Sequence, residues 1–112
     1  MGRGEDVRIA DDVVALIAGI AAADTDGVVR MASGRTEDWA RRVRGRNAHR
    51  GVAVDVNGEE VTLDLRVIVA YGTKIDHVCR RLQQNVKDAV ERMTGLRVVE
   101  VNVRVEGVDW KA

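Results

Sequence analysis

A two-layer α/β sandwich, with both helices packed on one face of a mixed sheet, is the fold this sequence predicts. Three observations predict it. Val61, Leu63, Leu65, Val67 and Val69 alternate with Thr62, Asp64 and Arg66, the two-residue period of a half-buried strand. Ile75, Val78, Cys79, Leu82, Val86, Ala89, Val90 and Met93 then fall on one stripe of a helix. Val99, Val101, Val103 and Val105 alternate with Glu100, Asn102, Arg104 and Glu106 as a second half-buried strand. With the shorter elements ahead of them the order is β-α-β-β-β-α-β, and one sheet carrying both helices on one face buries every apolar face at once.

Taken from the N-terminus, Val7-Arg8-Ile9 reads as a short first strand. Asp11 and Asp12 then stand where the positive end of a helix dipole favours acids. Val13, Ile17, Ile20 and Ala21, with Leu16 beside them, form the expected apolar stripe of that helix. Ala15, Ala18, Gly19 and Ala22 make its other side small, a second candidate contact surface. Asp24-Thr25-Asp26-Gly27 is turn chemistry and ends the helix. Val28 to Met31 is a second short strand, and short strands at 7–9 and 28–31 imply an open sheet edge through which a second copy could pair.

Ala32 to Gly51 reads as an irregular stretch, punctuated by Gly34, Gly45 and Gly51, in which Trp39 to Val43 has room for a turn or two of helix. So long a segment, rich in like charge and poor in periodic apolar residues, is expected to be the most mobile internal part of the chain. Val52, Val54 and Val56 alternate up to Asn57-Gly58, a strong hairpin signal. The return strand becomes apolar on both faces at Ile68 and Ala70. Thr73 and Asp76 resemble a capping box for the second helix, and Gly95 is its expected stop.

The 112 residues make one domain, 1–112, with the irregular Arg-rich insertion at 32–50. A 46% hydrophobic fraction without Phe or Pro implies a core of Val, Leu, Ile and Ala. One Cys excludes an internal disulfide, and no signal peptide is visible. The apolar run Val13 to Ala23 is about half the ~20 residues a membrane span needs. A cytoplasmic protein is the expectation. Charge is balanced at 18 basic and 18 acidic residues, yet seven Arg between Arg30 and Arg50 face only Glu37 and Asp38.

Candidate chemistry is sparse. His77 and Cys79 are two apart on a helix and point away from each other, so they share neither a proton nor a metal. Cys79 lies on the apolar stripe and reads as a core thiol; His77 reads as solvent-facing. His49 has no second ligand near it in sequence. Asp11-Asp12, Glu37-Asp38 and Glu59-Glu60 are sequence neighbours, not carboxylates placed across a cleft in different environments. Gly45 to Gly51 lacks the Lys-Ser/Thr ending of a phosphate loop. No enzyme, cofactor or metal site is expected. The one functional-looking patch is the Arg ladder, from which Trp39, Arg41, Arg42, Arg44 and Arg46 are the candidate binding residues, with Arg35 and Arg50 flanking them. Clustered guanidinium groups hold phosphates, so a nucleic-acid-binding module is the alternative reading, although neutral net charge disfavours it.

The wording of these elements resembles the alkaline-shock-protein family, the envelope stress response proteins of bacteria. The matching pieces begin with Val7-Arg8-Ile9-Ala10-Asp11-Asp12-Val13-Val14, Ala18-Gly19-Ile20-Ala21 and Asp26-Gly27-Val28. They continue with Val67-Ile68-Val69-Ala70-Tyr71-Gly72, the run from Val86 through Met93-Thr94-Gly95-Leu96, and Val98-Val99-Glu100-Val101-Asn102-Val103-Arg104-Val105-Glu106-Gly107-Val108. Ala32 to Arg50 departs from the pattern, with Trp39 and the Arg ladder where relatives carry Gly- and Leu-containing amphipathic sequence with a Lys-rich end. The resemblance implies a non-catalytic scaffold or regulator acting through protein–protein contacts in alkaline or envelope stress. It also implies a protein partner, either a membrane anchor protein or an acetyl-CoA carboxylase subunit, with homo-oligomerisation and membrane association only through that partner.

Overall fold

The computed structural model describes residues 7–34 and 36–110. Its elements run α1 (Asp11–Ala23), β1 (Val28–Met31), α2 (Glu37–Arg42), β2 (Asn47–His49), β3 (Val52–Asn57), β4 (Glu60–Ala70), α3 (Ile75–Thr94) and β5 (Arg97–Asp109). The fold is the expected α/β sandwich on a mixed sheet. β5 runs parallel to β4, and the other three pairings are antiparallel.

β4 is the spine of the sheet. β5 pairs with one edge of it from Glu60 to Ala70. The opposite edge is shared end to end: β3 takes Glu60 to Leu65 and β1 takes Val67 to Val69. Val61, Leu63, Leu65, Val67 and Val69 are fully buried beneath α1 and α3, as their alternation requires. Val78, Leu82, Val86 and Val90 of α3 close the same core, together with Val14, Ile17, Ala18 and Ala22 of α1. A polar clamp joins the two helices at one end: Asn85 Nδ2 donates to Thr25 Oγ1 at 3.1 Å, and that hydroxyl donates to the Ala21 carbonyl at 2.9 Å. Gly95 ends α3 in the left-handed conformation at φ 76°, the expected stop.

Four local expectations are corrected. Residues 7–9 form no strand; Ala10 is already the N-cap of α1, and Val7 lies exposed with no sheet partner. α1 turns the opposite way from its expected stripe. Most of its small side, Ala15, Ala18 and Ala22 with Val14 and Ile17, packs inward, while Gly19 stays partly exposed at the margin of that contact. The cause is that α1 is apolar all round, so periodicity cannot orient it, and close approach to the sheet selects the smaller residues. Thr73 does not cap α3; its hydroxyl donates to the Ala70 carbonyl at 2.7 Å, and Lys74 holds the N-cap position without a side-chain bond. Finally, 32–50 is more ordered than the irregular stretch expected: the expected turn or two of helix around Trp39 to Val43 is there as α2, and an unexpected strand, β2, follows it. α2 is capped by Thr36 Oγ1 accepting from the Trp39 N–H at 3.1 Å, and β2 is paired to β3. Trp39 and Val43 dock this segment on Ala53, on the sheet face opposite α1 and α3. A third helix therefore covers the second face.

Candidate functional site

The far side of β4 carries two charged residues at the middle of the sheet, Asp64 and Arg66, each only 2% exposed. Burial of unpaired charge is strongly unfavourable, so both must find partners. The 32–50 segment supplies those of Asp64 and shares those of Arg66 with Glu106 of β5. Asp64 pairs with Arg42 at 3.1 Å and with Arg46 at 2.6 Å. The Arg66 guanidinium donates to the Gly34 carbonyl at 2.6 Å and to Glu106 Oε1 at 2.8 Å, and lies 5.1 Å from the Trp39 ring centroid. Stacking on an aromatic face suits the weakly hydrated, planar guanidinium.

The main chain of Arg66 also forms the neck of the excursion. Its N–H donates to the Gly51 carbonyl and its own carbonyl accepts from the Ala32 N–H, each at 2.9 Å. The segment therefore leaves and rejoins the sheet at a single residue, whose side chain then reaches up into it. Beyond the neck the charges continue outward. Arg104 bridges Glu106 at 3.3 Å and Asp38 at 3.4 Å, and Asp38 accepts from Arg41 at 2.9 Å. Arg41, hydrogen-bonded to it, and then Arg104 hold the Asp38 carboxyl below its ordinary value of 3.8.

The expected binding residues are thus divided. Trp39 is buried against Arg66, Arg46 is mostly buried on Asp64, and Arg42 is half-exposed on the same carboxylate. Arg41 pairs with Asp38 at the surface, and Arg44 is exposed. Arg41 and Arg44 line one outer hollow with Thr36, Glu37 and Ala40, and Trp39 and Arg42 line another with Asp64, Asn102 and Arg104. Arg50 projects at the β2–β3 turn, and Arg35 lies outside the described residues. A phosphate would therefore compete with carboxylates of the same chain for Arg41, Arg42 and Arg46. His77 is exposed. Cys79 is half-buried, and loss of hydration, with Asp76 nearby, pushes its thiol above the ordinary 9.0. Among the described residues no group of three or more His, Cys, Asp or Glu side chains converges as a metal site. No helix of the described residues is long and apolar enough to cross a membrane.

Sequence reasoning missed a second surface. Because α1 turns its small side inward, Val13, Leu16 and Ile20 stand 45%, 54% and 62% exposed along its outer face. Beside them runs a groove of about 220 Å³ floored by Ala15, Gly19, Met31 and Val52 and rimmed by His49 and Arg50. The signal was present as the weak amphipathicity of 11–23: a helix apolar on every side has one face more than a single sheet can bury.

The fold and this charged layer define a small mixed-sheet α/β sandwich whose second face is closed by a polar cover. The chain belongs to the alkaline shock protein 23 family, described as having a cell envelope-related function, whose pattern it matches over residues 2–110. It is 41% identical over 104 residues to the uncharacterised protein YloU of Bacillus subtilis, covering 91% of this chain and 87% of that one. It is 33% identical to YqhY of the same organism, covering 93% and 77%. A stress response regulator gls24 homolog of Streptococcus pyogenes is 29% identical, and the match spans 90% of this chain but 57% of that protein. Among solved structures, the MamM CTD superposes with a TM-score of 0.54 at 14% identity, covering 88% of this chain and 99% of that one, a likeness of fold alone.

Proposed function

We propose that this chain is a non-catalytic, cytoplasmic scaffold or regulator in the envelope stress response that works by holding a protein partner on the outer face of α1. The observation that carries this reading is the exposed row Val13, Leu16 and Ile20 over an apolar groove. A contiguous apolar row beside a polar surface is the usual mark of a protein contact site. The small residues Gly19 and Ala15 at its floor let a helix approach closely, and Arg50 and His49 on the rim favour a partner helix with acidic flanks. A membrane anchor protein or an acetyl-CoA carboxylase subunit is the partner to try first, and an anchor would bring the chain to the membrane indirectly.

The test is calorimetric titration of each candidate partner with the intact chain and with Ile20→Glu. Binding that weakens at least tenfold in the variant, with unchanged thermal unfolding, supports the reading. Binding untouched by Ile20→Glu would move the contact elsewhere. A hydrolase or transferase turnover abolished by one point substitution would overturn the non-catalytic role.

A further inference from the structure

β5 is a 13-residue strand that pairs with β4 along one edge only. Among the described residues no strand covers its other edge. Such an edge is a ready template for another strand unless it is short, bulged or capped. The chain protects part of it. Register shifts opposite Val61/Thr62 and Val67/Ile68 place extra residues at Val99 and Glu106. At the start of the strand Glu91 Oε2 accepts from the Val98 N–H at 2.9 Å, and Gln83 Nε2 donates to the Val101 carbonyl at 2.9 Å. Between the bulges, Glu100 to Val105 remains regular. Because the Val101 carbonyl faces away from β4, the two-residue alternation turns the main-chain groups of Val103 and Val105 the same way. Those three Val side chains are only half-buried at the margin of the core.

We propose that Glu100 to Val105 pairs antiparallel with the same segment of a second copy, about a two-fold axis through Asn102, making one continuous sheet across both chains. The register follows from charge. With the axis at Asn102, Glu100 stands opposite the partner's Arg104 on the outer face, twice by symmetry. Val101 meets the partner's Val103 on the helix face, in the hydrogen-bonded pairs that the outward main-chain groups require. Moving the axis to Val103 sets Glu100 opposite the partner's Glu106, a repulsion the first register avoids. Two features of the single chain must yield. Gln83 leaves the Val101 carbonyl, and Arg104 exchanges its 3.3 Å and 3.4 Å contacts with Glu106 and Asp38 for the partner's Glu100. This surface is separate from the α1 face, so it does not depend on the partner proposed there.

Sedimentation equilibrium of the full chain, from micromolar to several hundred micromolar, tests it. The expected result is a monomer–dimer equilibrium in which Glu100→Arg and Arg104→Glu each weaken association about tenfold, while the two together restore it. Gln83→Ala, which frees the Val101 carbonyl, should tighten it. Val103→Pro should abolish it, because proline at an edge position removes the outward N–H while leaving the bonds to β4. Should Val103→Pro fail to fold, the charge-reversal pair still decides. Ile20→Glu should leave the dimer intact. A chain that stays monomeric throughout, with Gln83→Ala monomeric too, overturns the proposal. A dimer indifferent to both charge reversals, or lost on Ile20→Glu, overturns it as well.

Discussion

The guanidinium of Arg66 lies 5.1 Å from the centre of the Trp39 ring, on the sheet face away from the two long helices. Trp39 is buried, and Arg66 hydrogen-bonds Gly34 and Glu106 from beneath it, so the pair fastens the 32–50 segment to the spine of the sheet. Trp39→Ala should destabilise the domain by about 3–5 kcal/mol through the void it leaves. Arg66→Ala should cost a similar ~3–5 kcal/mol, because Glu106 loses its partially buried donor. Urea unfolding followed at equilibrium checks both. A loss below ~1 kcal/mol for either would show that the segment is not held through this contact.

Asp64 makes a second, separable prediction. Asp64→Ala leaves Arg46 largely buried beside an apolar sheet without its carboxylate, and should cost about 3 kcal/mol. Replacing both, Asp64→Leu with Arg46→Leu, should recover most of that loss, since Arg42 is half-exposed and can turn to water. A double variant as unstable as Asp64→Ala would show that the charges contribute more than mutual neutralisation.

The β2–β3 hairpin contains a residue under backbone strain. Arg50 sits at φ 49° with Gly51 at φ 81°, a two-residue turn in which both positions are left-handed. Arg50→Gly should therefore stabilise the fold by up to about 1 kcal/mol. Gly51→Ala should do the reverse and more strongly, because a Cβ there would stand 2.7 Å from the Ala32 carbonyl at the neck of the excursion. Thermal melts of the two variants should move in opposite directions. If Arg50 also meets a partner at the α1 groove, Arg50→Gly will raise the melting temperature while weakening that binding.

Acid should loosen the outer ion pairs first. Arg41 and Arg104 lower the Asp38 pKa below 3.8, and the hydrogen bond from Arg30 does the same to Asp109. A carboxyl with a depressed folded pKa contributes stability above its unfolded value and loses it as pH falls through the folded one. The gap in urea midpoint between the intact chain and Asp38→Asn should thus be constant above about pH 5 and close below about pH 3. Both carboxyls are exposed, so the gap should be small and shrink further in ~1 M salt. A gap that widens in acid would reverse the sign of this interaction.

Much of the architecture was legible because it rests on local periodicity. The alternation from Val61 to Val69, the stripe from Val78 to Val90 and the left-handed stop at Gly95 each depend on residues near in sequence, and each stands where the pattern placed it. The family was legible for the same reason, since its wording lies in those elements. The signal at 7–9 failed because two apolar residues do not make a strand unless another strand accepts them. What only the tertiary structure decided concerns pairings distant in sequence. Which side of α1 faces inward was settled by the space between it and the sheet, leaving Val13, Leu16 and Ile20 outside. That Arg42 and Arg46 of the ladder fold onto Asp64, and that Arg66 pairs with Glu106 of β5, was settled by the cost of burying charge without a partner, which no window along the chain contains. The open edge of β5 exists because β4 had one remaining side to offer, and that side was assigned only when the whole sheet assembled.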